Sequence, residues 1–309
     1  MKRLISIIIP AYNEEKNIPL LAEQLNSIFS EIPYELELIL INDGSTDNTL
    51  AVIHSLALQY PTLYFIDFSR NFGQQNALRA GYDYAHGDAV ICMDADLQNP
   101  PEIVLDLIKK WEEGFEVVIC KRKDGKQNAG ILKEATSRWF YNLLSFLTDI
   151  KVEPNSPDFR LIDRKLVDII KTLSEKDIFF RGMISWMGFK RTVVEYEHSA
   201  RAYGDTKYSV IKMINLASSG LTSFSVKPLH LAMYLGLIIS CLSLVYIPYA
   251  LLSYYRGDAI SGWASLIVTV AFFGGLQLMI LGVIGLYLGK LFIQSKQRPE
   301  YIIRETNID

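Results

Sequence analysis

After Pro228 two long stretches of the chain lose almost all charge: residues 229–255 carry no Asp, Glu, Lys or Arg and only His230 as a group that ionises near neutral pH, and residues 260–288 carry neither. Helices of that length span a hydrocarbon core about 30 Å thick, whereas a soluble helix would keep a polar face. Two transmembrane helices are expected, joined by a short connector that holds Arg256 and Asp258. Arg201, Lys207, Lys212 and Lys227 precede the first span, and Lys290, Lys296 and Arg298 follow the second. That bias predicts a multi-pass protein of the plasma membrane with both termini cytoplasmic. Gly274, Gly275, Gly282, Gly285 and Gly289 form a small-residue face on the second stretch, suited to packing on the first span or on a second copy in a homo-oligomer. Residues 208–224 and 139–147 have apolar residues at helical spacing, as surface-lying or ordinary core helices do.

Before Lys227, charges of both signs are interspersed as on a solvated globule. The expected organisation is a cytosolic domain over 1–205, a juxtamembrane segment over 206–227, the spans over 228–295 and a tail over 296–309. A net charge of −3 argues against a general nucleic-acid binder, which needs a basic excess to neutralise phosphates. Cys92, Cys120 and Cys241 show no CxxC spacing and read as free thiols. The start, MKRLISIIIPAYNEE, reaches Pro and acidic residues too soon for a signal peptide.

Within the cytosolic part, continuous apolar runs at 4–9, 35–41, 63–68 and 89–93 read as buried strands, with helical patterns between them ending near Phe29, Leu58 and Ala85. Strand and helix alternate, which predicts a parallel sheet covered by helices on both faces. Ligands of such sheets gather at the carboxyl ends of the strands, and the segments there, 11–15, 42–47, 69–75 and 94–98, are polar. No GxGxxG follows the first strand and no GxxxxGK[ST] occurs, so neither a dinucleotide fold nor a P-loop is supported. Asp94 and Asp96 close a strand with two carboxylates, hard oxygen ligands of the kind Mg²⁺ or Mn²⁺ takes, although acidic pairs also cap helices.

Taken together, IPAYNEEKN, INDGSTDNT and MDADLQNPPE resemble the family 2 glycosyltransferases of the GT-A fold. SRNFGQQNALRAGYDYAHGD, PDFRLIDRK, a Phe-Arg-Gly segment and RAYGDTKYS extend the resemblance to membrane-bound polyprenyl-phosphate glycosyltransferases, such as those making undecaprenyl-phosphate glucose or dolichol-phosphate mannose. The resemblance implies an α/β domain with a GT-A-type, Rossmann-like, mostly parallel sheet, then amphipathic interface helices and two C-terminal transmembrane helices. It implies a UDP-sugar donor, a polyprenyl phosphate acceptor, the bilayer as partner and an inverting transfer of a sugar, with glucose the choice by resemblance. Mannose from GDP-mannose, an amino sugar or a pentose derivative are alternatives. A polysaccharide synthase fits less well, since no QxxRW occurs.

Read through that resemblance, Pro10, Ala11, Tyr12, Glu14 and Asp43 hold the nucleoside. Arg79 approaches the donor phosphates, unless it is only a solvated helix charge. Asp94, Ala95 and Asp96 form the metal and diphosphate site, and Gln98 meets sugar or acceptor. Asp158 matches the position assigned as catalytic base, though an acceptor phosphate that is mostly dianionic near pH 7 needs none, and Asp158 can instead orient Arg160 or the sugar. Arg201 and Lys207 are expected on the acceptor phosphate, with Arg122, Lys123, Arg160 and Arg181 as secondary candidates.

Overall fold

The computed structural model describes residues 2–123, 156–176, 178–197, 226–256 and 262–308. The apolar runs of the sequence form β1 (Arg3–Ala11), β2 (Tyr34–Asn42), β3 (Leu63–Phe68) and β4 (Ala89–Cys92), separated by α1 (Asn17–Ser30), α2 (Thr49–Gln59) and α3 (Gln74–Tyr84). Then come α4 (Ile103–Glu112), β5 (Val117–Arg122), β6 (Arg160–Asp163), α5 (Arg164–Thr172), α6 (Phe180–Trp186) and β7 (Arg191–Tyr196). Two long helices, α7 (Lys227–Tyr255) and α8 (Trp263–Ser295), precede a last short strand, β8 (Ile303–Thr306).

The strands make one sheet in the order β7-β5-β6-β4-β1-β2-β3-β8. Neighbours β1, β2, β3 and β4 are parallel, as the alternating pattern predicts, and so are β5 and β7. Two strands depart from the expectation: β6 runs antiparallel between β4 and β5, and β8 runs antiparallel on the outer edge of β3. The reversal of β6 matters chemically. An antiparallel strand begins where its neighbour ends, so Arg160 lies level with Cys92, and Asp158, two residues before it, arrives at the carboxyl end of β4.

The strands read as unbroken apolar runs because both faces are covered. Ile5, Ile7, Ile9, Leu38 and Leu40 pack with Ile18, Leu21 and Leu25 of α1 and Val104 and Leu107 of α4. Ile8, Ile39, Ile41 and Ile66 pack on the other face with Ala77 of α3, Leu166 and Ile170 of α5, and Phe180 of α6. At about 25 cal/mol per Å² of apolar surface, each fully buried Ile or Leu contributes roughly 1.5–3 kcal/mol. The turn after β2 requires Gly44, whose φ is +64° and where a Cβ would stand 2.4 Å from the Arg70 carbonyl carbon.

The expected spans at 229–255 and 260–288 correspond to α7, 29 residues with Pro248 inside it, and α8, 33 residues. Among the described residues one stretch, Phe272–Ser295, is long and apolar enough to cross a membrane by length and composition, with a mean hydropathy of 2.0. The segments 139–147 and 208–224 lie outside the described residues, as do Arg201 and Lys207.

Candidate active site

The loops after β1 and β2 are stitched to each other at the carboxyl edge. Asn13, at φ 58°, donates its N–H to Ser45 Oγ (3.0 Å) and accepts from the Thr46 N–H at Oδ1 (2.8 Å). The Glu14 N–H donates to Thr49 Oγ1 (2.9 Å), and Asn17 Nδ2 donates to Glu14 Oε2 (2.7 Å). Pro10 and Ala11 end β1, and Tyr12 stands exposed beside them. The residues expected to hold the nucleoside thus lie together at the carboxyl ends of β1 and β2. Asp43 has an additional task. Its buried carboxylate accepts from the Phe72 N–H (2.6 Å) and the Gly73 N–H (3.0 Å), tying the loop after β3 to the end of β2. Burial pushes its pKa up against the pull of those backbone bonds.

Arg79 takes a different place from the one expected. Its guanidinium is buried on α3, where Nε pairs with Asp83 (3.1 Å) and the terminal nitrogens donate to the carbonyls of Ile170 (3.0 Å) and Lys171 (3.4 Å). Those are last-turn carbonyls of α5, where the Ile170 carbonyl also accepts from the Leu173 N–H (3.1 Å), so Arg79 adds a side-chain cap to the helix end in the α3–α5 seam instead of reaching toward the strand ends.

Asp94 follows β4 and receives Gln74 Nε2 at Oδ1 (2.9 Å) and Asn99 Nδ2 at Oδ2 (3.5 Å). Part of its surface stays accessible, yet loss of water around the carboxylate, reinforced by the charges of Asp158 and Asp96, pushes its pKa up to about 6. Asp96 accepts from the Gln98 N–H (3.2 Å) across Leu97, whose φ of 57° gives the turn its left-handed kink. Ala95 between them is buried. A carboxylate held at an energetic deficit beside a second one suits a divalent cation, which supplies the missing positive charge. Among the described residues no third His, Cys, Asp or Glu joins them, so the remaining ligand positions would fall to water and a diphosphate. The donor set therefore fits a hard divalent cation of the Mg²⁺ or Mn²⁺ kind.

Asp158, just before β6, is buried next to the end of β4. Its Oδ1 accepts from Arg181 Nε (2.8 Å) and an Arg160 terminal nitrogen (3.0 Å), and its Oδ2 accepts from Arg181 (3.0 Å). Burial alone would raise its pKa, but Arg181 first, then Arg160 and a bond from Gln75, hold it below the usual carboxylate range. The two guanidiniums differ in access: the Arg160 side chain is 3% exposed and that of Arg181 27%. Arg160 is a buried counter-ion under Asp158, also bonded to the Pro157 carbonyl (3.1 Å), so it does not offer itself to an acceptor phosphate as expected. Arg122, at the carboxyl end of β5, joins a relay in which its Nε donates to Tyr196 Oη (3.4 Å), and Tyr196 donates to Asn99 Oδ1 (2.6 Å).

Gln74, Gln75, Asn99 and Tyr196 went unread in the sequence. The two glutamines open α3 directly after a strand-end loop, a position that could have flagged them. Nothing local marks Tyr196, which ends β7 and meets Asn99 only across the sheet.

The profile of glycosyl transferase family 2 (Glycosyl transferase family 2) matches residues 6–170. The chain is 44% identical to "Uncharacterized glycosyltransferase YkcC" of Bacillus subtilis, covering 97% of this chain and 93% of that one. It is 42% identical to the "Bactoprenol glucosyl transferase" of Shigella phage SfV, covering 97% and 98%. A solved structure of glucosyl-3-phosphoglycerate synthase from Mycobacterium tuberculosis, in complex with Mn²⁺, UDP-glucose and phosphoglyceric acid, covers 71% of this chain and 78% of its own at 19% identity and a TM-score of 0.46, a likeness too small to carry weight. With a profile over more than half its length and relatives above 40% identity along nearly all of it, the chain belongs to glycosyl transferase family 2.

Proposed function

We propose that this chain transfers glucose from UDP-glucose to polyprenyl phosphate at the cytosolic face of a bacterial plasma membrane, inverting the anomeric centre and releasing UDP. The observation that carries the reading is the meeting of the Asp94–Asp96 carboxylates with an accessible Arg181, itself held by Asp158, at one end of the sheet. The relative named as a bactoprenol glucosyl transferase supports the sugar and the acceptor. That name, and the absence of QxxRW, disfavour a polysaccharide synthase.

Tyr12, with the loops at 11–15 and 42–48, takes the nucleoside: a flat ring beside backbone and carboxylate acceptors. Asp94 and Asp96 would hold the divalent cation, which offsets charge gathering on the departing diphosphate. Gln74 and Asn99 fix the Asp94 carboxylate in orientation. Arg181, with Arg122, Arg201 and Lys207, receives the acceptor phosphate, whose oxygen attacks the anomeric carbon as the carbon–oxygen bond to UDP breaks. The electron pair leaves with UDP, and no proton has to be removed from a phosphate dianion. Asp158 therefore serves as the anchor of Arg181: a carboxylate gripped by two guanidiniums is a poor proton acceptor.

Two spans, α7 and α8, place this site at the bilayer. The tail supports that count. Because β8 pairs with β3, the chain leaves and rejoins the catalytic domain on one side of the membrane, so if α8 crosses, the crossings between residues 197 and 300 must be even in number. The glycine face of α8 suits packing on α7 or self-association.

The test is transfer from a panel of radiolabelled UDP- and GDP-sugars to undecaprenyl phosphate, with Mg²⁺, Mn²⁺ or EDTA, for wild type and Asp96→Ala. Lipid-linked product from UDP-glucose, lost with EDTA and reduced at least about 1000-fold by the substitution, is expected. No product with any donor sinks the reading.

A further inference from the structure

The last strand of the sheet is made by residues that follow the membrane helix, far outside the stretch matched by the family profile. Its contacts are dense for its size. The Ser69 N–H donates to the Ile302 carbonyl (2.9 Å), Thr306 Oγ1 to the Phe65 carbonyl (2.7 Å), and the Phe65 N–H to Asn307 Oδ1 (2.6 Å). The Tyr301 ring stacks on Phe68 at 5.2 Å, and its hydroxyl donates to Asp83 (2.8 Å).

One of these contacts leads into the site. Asp67, at the carboxyl end of β3, has a side chain with 0% exposure, and Arg304 Nε donates to its Oδ2 at 2.6 Å. Among the described residues, Arg304 is the cation paired with this carboxylate. The other oxygen of Asp67 accepts from Asn42 Nδ2 (2.7 Å), Asn42 Oδ1 accepts from the Ser45 N–H (3.3 Å), and Ser45 Oγ accepts from the Asn13 N–H (3.0 Å). A continuous chain of bonds thus runs from the tail to the two loops that border the nucleoside crevice. A buried carboxylate without its counter-ion tends to take up a proton, draw in water or shift, and any of these disturbs Asn42, its direct partner.

We infer that the C-terminal strand is a positioning element of the donor site: Arg304 neutralises Asp67, and through Asn42 and Ser45 fixes the loops at 11–15 and 42–48 in the geometry that accepts a nucleoside diphosphate. The inference rests on the proposed function, because it takes those loops as the donor site. It makes donor recognition depend on residues reached only after the membrane segment, so the domain is closed by its own anchor.

The experiment uses full-length protein in detergent, measuring UDP affinity by calorimetry with Mn²⁺ present and KM for donor and acceptor separately, for wild type, Arg304→Gln and the double variant Asp67→Asn/Arg304→Gln. Arg304→Gln is expected to weaken UDP binding and raise donor KM about tenfold, with acceptor KM within about twofold of wild type, and the neutral pair to restore donor affinity to within about threefold. Unchanged UDP affinity in Arg304→Gln overturns the inference, and so does equal weakening in the single and double variants, which would give the tail a purely structural role. Should Arg304→Gln fail to fold, the double variant decides alone: near-wild-type donor KM upholds the inference and a tenfold rise overturns it. A wild type that binds no uridine nucleotide removes the functional reading and this inference together, whereas a wild type that transfers sugar beside an unaltered Arg304→Gln removes only the inference.

Discussion

Asp94, just after β4, and Asp158, just before the neighbouring β6, lie at the same end of one sheet, and their environments drive them in opposite directions. The end of β4 offers Asp94 two neutral amides and the charge of two other carboxylates, and its pKa rises to about 6. The start of β6 offers Asp158 two guanidiniums, and its pKa falls in spite of deeper burial. Burial alone therefore decides neither case; the partner does. A carboxylate left short of positive charge suits a cation, and one already saturated with it suits an anchor, which are the roles proposed for Asp94 and Asp158.

The sharpest way to break this comparison is Asp158→Asn, which keeps the shape and removes the charge. As an anchor, Asp158 should cost about 100-fold in kcat when neutralised, by releasing Arg181, and the pH–rate profile on the acid side should keep its wild-type midpoint. If Asp158 were the base, an acidic limb present in wild type would vanish from the variant's profile. Arg181→Lys should fall similarly, since an ammonium cannot make both bonds to the carboxylate.

A smaller effect is expected at Asp94 in metal-free protein. Its folded pKa lies above the ordinary 3.8, so its favourable contribution to folding is complete below about pH 4 and is lost as pH rises through about 6. The rise corresponds to roughly 3 kcal/mol as an upper bound, and residual exposure reduces it to about 1–2 kcal/mol. In EDTA, Asp94→Asn should therefore be the more stable protein by that amount at pH 7.5 and equal to wild type near pH 4, as read by denaturant midpoints. Adding Mn²⁺ should raise the wild type and leave the variant unmoved. The reverse order at pH 7.5 would show that the amides already satisfy the carboxylate.

The smallest predicted change lies at the tail. Tyr301→Phe keeps the stack on Phe68 and deletes one bond to Asp83, so a loss of about 1 kcal/mol in stability is expected. A loss several times larger would mean that β8 contributes to the cooperative core.

The loops after β1, β2 and β4 were legible because each belongs to a local strand–loop–helix unit, where a few consecutive residues set both the turn and the chemistry. Asn13, Ser45 and Asp96 all bond within such neighbouring loops. Arg79 was misread because its helix gives no sign of α5, which reaches it from 91 residues away. Arg160 was misread for a related reason: a single arginine beside an aspartate does not tell which of them is buried, and only the central position of β6 decides that.

By itself the sequence determined the parallel half of the sheet, the strand-end loops with their carboxylates, and two long apolar helices, because periodicity and turn chemistry act over a few residues. The tertiary structure alone decided the antiparallel insertion of β6, which brings Asp158 beside Asp94, and the return of β8, which brings Arg304 to Asp67 across 237 residues. Edge pairing and ion pairing depend on which strands lie next to each other, and strand order is fixed by burial of the whole core.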